Sequence, residues 1–211
     1  MLLNKDRRKY SRARRSGMAM LALMMGLATA SPALAIDARL PGAAMVPLKA
    51  EAMPPDGASH LCATYDWACA KSGRTIRIGQ AEVDILRAVN SRANRSVRPI
   101  SDMQQYRVAE RWALPTKRGG DCEDYALFKK RELVLAGFPP EQLLIAAVLD
   151  RKRQSHAVLV VRTGAHDLVL DNLTDRIVPW NKTGYTFLRM QDPRQPHRWG
   201  SVLAGGLFEG S

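Results

Sequence analysis

Cysteine and histidine are scarce in this chain, three and four residues among 211. Neither forms a zinc pattern. The separation of Cys62 from Cys69 fits no common ligand spacing, and His60, His166 and His197 have no evident partners in sequence. Aromatic residues make up only 6%. The basic side chains past the first 35 residues, such as Arg92, Arg95, Lys117, Arg118, Lys129 and Lys130, are mixed with acids. They lack the aromatic interleaving of a single-strand nucleic-acid reader, which argues against nucleic acid as a partner. No internal repeat is present, so a solenoid is excluded. The apolar stretch from Met18 to Ala30 is about 13 residues, short for a bilayer span.

That stretch has a different reading. Lys5, Arg7, Arg8, Lys9, Arg12, Arg14 and Arg15 precede it and Ala33-Leu34-Ala35 follows, the order of a cleaved secretory signal over residues 1–35. Ala28-Thr29-Ala30 offers a second cleavage point, and an uncleaved anchor is the alternative. Loss of residues 1–35 takes the formal charge from +12 to +6, so much of the basicity is address. Export predicts a periplasmic location. Residues 36–57, with Pro41, Pro47, Pro54 and Pro55, read as an irregular arm, and residues 58–211 as one domain with a single core. In an oxidising compartment Cys62 and Cys69 are expected to close a small loop, unless both stay reduced or their geometry forbids the bond. Cys122 is then the odd thiol.

Cys122 stands in the stretch Gly119-Gly120-Asp121-Cys122-Glu123-Asp124-Tyr125-Ala126. Past the glycines, Ala126, Leu127, Leu133, Val134 and Leu135 recur at helical spacing until Gly137, and Pro139 and Pro140 block continuation. The sequence thus predicts an amphipathic helix with Cys122 in its first turn. There the unpaired N–H groups and the helix dipole favour a thiolate. The two glycines are expected to let other backbone approach the sulfur. A small inert core cysteine is the competing reading.

Downstream, Ser155 to Val161 and Asp167 to Asn172 are apolar runs separated by Arg162-Thr163-Gly164-Ala165-His166, which predicts a β-hairpin. A turn centred on Thr163-Gly164 puts Arg162 across from Ala165 and therefore His156 directly across from Asp171. Directly opposed residues share a face, so the carboxylate can hold the imidazole in one tautomer while the other nitrogen serves a thiol. Nucleophile, base and orienter then occur together, as thiol-dependent acyl transfer requires. A bulge would move Asp171 to the other face.

These residues resemble the bacterial transglutaminase-like cysteine peptidases. The resemblance rests on Gly120 to Ala126, on His156 before its apolar run, on Leu170-Asp171-Asn172, and on Pro179-Trp180 and Thr183-Gly184-Tyr185; it extends from about Cys62 to Trp199. It implies an α+β, papain-like fold in which the catalytic cysteine at a helix N-terminus packs against an antiparallel sheet carrying histidine and aspartate. Cys122, His156 and Asp171 are the implied triad. The best-known members also depend on calcium held by acids beside the nucleophile, the positions of Asp121 and Glu123 here. Two carboxylates are only part of a calcium site, and a local reading competes: Asp121 caps the helix while Asp124 adds charge to its first turn. Acids so near the sulfur raise its pKa, and a bound cation reverses that, so calcium would act as a switch.

The reading is therefore an exported cysteine endopeptidase acting on a protein. The resemblance further implies release of a large surface adhesin, as in biofilms, under control of an inner-membrane receptor. A transglutaminase-type transferase, in which an amine resolves the same acyl-enzyme, is the alternative within acyl transfer. A non-catalytic binding domain is the alternative outside it. Trp112 is expected to pack, with a place in the cleft as the other possibility; Trp180 and Tyr185 are expected in the core or along a substrate groove. A helix is expected over Ala81 to Val89, and strands over Leu143 to Leu149 and Thr186 to Arg189.

Overall fold

The computed structural model describes residues 45–208; the expected signal, and residues 36–44 of the expected arm, lie outside the described residues. The helices come first: α1 (Leu61–Thr64), α2 (Asp66–Cys69), α3 (Gln80–Ser96), α4 (Asp102–Gln105) and α5 (Cys122–Leu135). Around and after them run strands β1 (Glu51–Ala52), β2 (Leu143–Leu149), β3 (Ser155–Arg162), β4 (Asp167–Leu170), β5 (Val178–Pro179), β6 (Thr186–Asp192) and β7 (Gln195–Ala204). All seven form one antiparallel sheet in the order β1-β7-β6-β2-β3-β4-β5. This is the α+β layout with a thiol-bearing helix set on an antiparallel sheet.

Alternation along the central strands explains why both faces of the sheet are buried. Leu143, Ile145, Leu159 and Val161 pack with Leu127 and Leu133 of α5 and Leu86 of α3. Leu144, Ala146, Val158 and Val160 point the other way, into a second cluster with Val46, Trp180, Tyr185 and Phe187. Residues 45–57 do not hang free of this core. The Lys49 N–H donates to Ser201 O at 2.9 Å, β1 pairs with β7, and Arg189 donates through Nη1 to the carbonyls of Met53 and Pro54. Cys62 and Cys69 are disulfide-bonded with their Cα atoms 5.4 Å apart, so Cys122 is the free thiol.

Helix α5 departs from the amphipathic pattern. Leu135 is exposed, whereas Lys129 and Lys130 are buried. Lys130 Nζ donates to Gln191 Oε1 at 2.9 Å, and Lys129 Nζ lies over the Tyr125 ring at 5.8 Å. Burial pulls both lysines down from their ordinary value to about 7. The helix is enclosed on nearly every side, by the sheet, by α3 and by α2, so its long cationic side chains run inward for want of a solvent face.

The two glycines before α5 also do something other than expected. What approaches them closely is the backbone of Arg98 and the side chain of Asp124. Gly119 has φ +125°, and a Cβ there would collide with the Arg98 carbonyl oxygen; one on Gly120 would meet Asp124 Cβ at 2.6 Å. Gly120 N–H donates to Arg98 O at 3.0 Å and its carbonyl accepts from Ile100 N at 3.1 Å. The tight crossing anchors the start of α5, and with it Cys122, to the segment leading into α4.

Candidate active site

Helix α5 begins at Cys122, with Asp121 at its N-cap. Beyond the end of β4, which pairs only with Leu159 to Arg162, the edge of β3 is open to other partners. There the backbone N–H of Ala157 reaches the Cys122 sulfur. Cys122 and His156 line the same cavity, of about 230 Å³, together with Trp112, Ala147, Ala157 and Arg189. Pro55 and Asp56 form part of its wall, so the segment bound along β7 helps to shape the site.

His156 and Asp171 meet, but not as a directly opposed pair. Arg162 faces Asp167 rather than Ala165, because the hairpin loop is four residues long, with Thr163 Oγ1 accepting from the N–H groups of Ala165 and His166. By that register Asp171 falls opposite Val158, and His156 is its diagonal neighbour on the same face. His156 Nε2 lies 2.9 Å from Asp171 Oδ1, with both side chains buried. The remaining ring nitrogen, Nδ1, is thereby left for other work. Asp171 is held on three sides: Oδ1 also accepts from Leu173 N at 3.0 Å, and Oδ2 accepts from the Tyr185 hydroxyl at 2.5 Å. Burial pushes this carboxyl up, but the hydrogen bond and charge of His156, then the Tyr185 and Leu173 donors, outweigh it and hold it below the ordinary value. Tyr185 is buried and stands edge-on to the His156 ring at 5.8 Å, behind the histidine as seen from the Cys122 cavity, whose wall it does not join.

The sulfur's surroundings oppose the helix terminus. Burial, then the charge of Glu123 and the hydrogen bond from Sγ to Glu123 Oε2 at 3.2 Å, push the thiol far up; the Ala157 N–H acts the other way. Glu123 is itself pushed up to about 9 by burial and by Asp121. The helix-dipole preference for a thiolate is a fraction of the cost of two nearby carboxylates in a buried site.

Asp121 occupies the N-cap position without capping: its side chain makes no bond to the first turn. Oδ2 instead accepts from the N–H of Asp102, on α4, at 2.9 Å. Asp102, Asp121 and Glu123 each bring a carboxylate oxygen to within 4.8 Å of the others. Asp121 Oδ1 and Glu123 Oε1 are buried with no hydrogen-bond partner. Burial and the charge of Asp121 raise the Asp102 carboxyl. Three converging carboxylates with unpartnered oxygens have the donor chemistry of a hard divalent cation. Asp102, 19 residues before Asp121, carried no signal in the sequence that distinguished it from other acids.

Trp112 takes both of its expected roles, lining the cavity while standing edge-on to Trp199 at 5.7 Å. Asp124 serves the frame: its Oδ1 accepts from Ala113 N at 2.9 Å, tying the Trp112 segment to α5. Trp180 is buried against Phe187.

Residues 48–206 match the family described as bacterial transglutaminase-like cysteine proteinases. Three solved structures of Legionella pneumophila LapG are similar. One is 24% identical over 61% of this chain and 72% of that one, with a TM-score of 0.46. The calcium-bound form is 23% identical over 75% and 87%, with a TM-score of 0.49. The EGTA-treated form is 21% identical over 67% and 83%, with a TM-score of 0.42. No protein of curated function matches the sequence.

Proposed function

The chain belongs to the bacterial transglutaminase-like cysteine proteinases and is a cysteine peptidase; from that premise we propose an endopeptidase in which Cys122 is the nucleophile, His156 the base and Asp171 its orienter. The observation that carries the assignment is the 2.9 Å contact of His156 Nε2 with Asp171, beside a sulfur that shares a cavity with the same histidine. Asp171 holds the tautomer that leaves Nδ1 free to take the thiol proton. The thiolate then attacks the peptide carbonyl carbon, the imidazolium returns its proton to the leaving amine, and water, deprotonated by His156, hydrolyses the thioester. The Cys122 N–H, at the start of α5, is a donor for the developing oxyanion.

We assign Asp102, Asp121 and Glu123 as the residues that would hold calcium. A cation there supplies positive charge beside Glu123, which offsets the carboxylates that oppose ionisation of Cys122. That LapG has been solved calcium-bound and EGTA-treated supports calcium as the cation. The same kinship and the expected signal favour a periplasmic enzyme that trims a large surface adhesin, restrained by a receptor in the inner membrane. The test is to incubate native envelope and surface proteins, with calcium, with the active chain or with Cys122→Ala, and to map new N-termini by mass spectrometry. Termini made only by the active chain are expected and name the substrate. Isopeptide crosslinks without new termini would overturn the endopeptidase in favour of a transferase.

A further inference from the structure

A second cavity, of about 300 Å³, is lined by Arg151, Lys152, Arg176 and Lys182, by one carboxylate, that of Asp150, and by Tyr185. All four basic residues are exposed, and among the described residues none of them is in an ion pair. The acids nearby are engaged in other work. Asp150 Oδ1 accepts from the N–H groups of Lys152 and Gln154, at 2.7 and 2.9 Å, and so belongs to the turn between β2 and β3. Asp175 is held toward α3 by Asn94 and Ser91. Arg151 uses Nε on the Thr183 carbonyl, which fixes it in the wall with its other donors to spare. Four cations against the single lining carboxylate of Asp150 leave the concavity with a net positive potential.

The cavity is not purely polar. Leu173, 60% exposed, lines it among the cations, together with Val178. An exposed leucine inside a cationic cavity suits a polypeptide whose acids are interspersed with apolar side chains better than a free inorganic anion. Position gives this a functional sense. Tyr185 lines this cavity, and the His156 ring it stands against lines the cavity of Cys122, so two rings in edge-to-face contact join the walls of the two.

We propose that this cavity is an exosite that binds an acidic segment of the polypeptide substrate while the bond to be cleaved lies at Cys122; the second half of the statement rests on the endopeptidase reading. Charge at such a site sets which proteins are retained near the nucleophile, and acts on encounter and KM rather than on the chemical step.

The test begins with binding. The full chain carrying Cys122→Ala is titrated against a rhodamine-labelled Glu-Leu-Glu-Glu-Leu-Glu peptide and against its Gln-for-Glu counterpart, by fluorescence anisotropy. The Glu peptide is expected to bind at least about tenfold tighter, and to lose about tenfold between about 0.05 and about 0.5 M salt. Arg176→Glu with Lys182→Glu, two exposed positions whose reversal should leave the melting temperature unchanged, is expected to abolish the preference. In the active chain the same pair should raise KM several-fold for a reporter protein bearing the Glu segment, leaving kcat, and KM for a Gln-bearing reporter, unchanged. Equal binding of the two peptides, or indifference to the double variant, would overturn the exosite. So would binding to phosphatidylglycerol vesicles without binding to the Glu peptide, which would make the patch a membrane contact. Preference for the Glu peptide in a chain that cleaves nothing would sink the endopeptidase and keep the acidic-segment site; cleavage without that preference would do the reverse.

Discussion

The Tyr185 hydroxyl donates to Asp171 Oδ2 at 2.5 Å, on the opposite oxygen from the one that meets His156. Between them the phenol and the imidazole fix the carboxylate plane, and Leu173 N–H adds a third donor. The carboxylate that holds His156 is thus itself held, by a residue 14 positions later in the chain. A buried carboxylate so held stays ionised and keeps the imidazole in one tautomer.

Tyr185→Phe removes that donor and little volume. A hydrogen bond to a charged group is worth about 1.5–3 kcal/mol, so kcat/KM should fall by about 10- to 100-fold and the melting temperature by several degrees. Asp171→Asn should cost far more, because it disturbs the tautomer as well as the charge. Steady-state kinetics and thermal melts on the two variants give the comparison; equal, small losses in both would remove Asp171 from the mechanism.

Calcium dependence should trace to three acids, not two. Asp102→Asn is expected to weaken calcium-supported activity as Asp121→Asn and Glu123→Gln do, and the double change Asp121→Ala with Glu123→Ala should mimic chelation. Activity titrated with calcium, alongside the calcium-induced rise in melting temperature, provides the readout. Parent activity that is indifferent to EGTA would eliminate the cation.

Lys130 predicts a pH dependence of stability. Its folded value, about 7, lies below the unfolded value near 10.5 because burial disfavours the charge, with Glu141 acting weakly the other way. Between those limits the unfolded chain binds the extra proton, so stability contributed at this site rises with pH and is lost as pH falls toward 7. Lys130→Met removes the term, and Gln191 Oε1 keeps Ile145 N–H as a donor at 3.1 Å. The variant's advantage in melting temperature should be largest near pH 6 and shrink toward pH 10. A constant difference across that range would contradict the buried, neutral lysine.

The meeting of His156 with Asp171 was legible because it depends on parity. The hairpin loop is two residues longer than a Thr163-Gly164 turn allows, yet a slip of two leaves every side chain on its own face, so His156 and Asp171 still meet. Helix α3 and strands β2 and β3 were legible from apolar periodicity. Strand β7 was not: Gln195-Pro196-His197-Arg198 and Gly200 interrupt any alternation, and pairing with β6 and β1 decides its state. Asp102 was not legible because only the crossing of Arg98 over Gly119 and Gly120 brings α4 beside Asp121. The inward course of Lys129 and Lys130 was likewise invisible, since local pattern assigns long cations to solvent while the packing around α5 leaves them none.

The most direct measurement is the rate at which a peptidyl vinyl sulfone, an electrophile that depends on an assisted thiol, alkylates the protein at pH 7 with calcium, followed by intact mass and peptide mapping. The account predicts a single adduct on Cys122, with a rate that falls by more than about 100-fold in His156→Ala. An adduct that forms as fast in His156→Ala as in the parent would mean that the histidine does not activate the sulfur, and the proposed triad would be wrong.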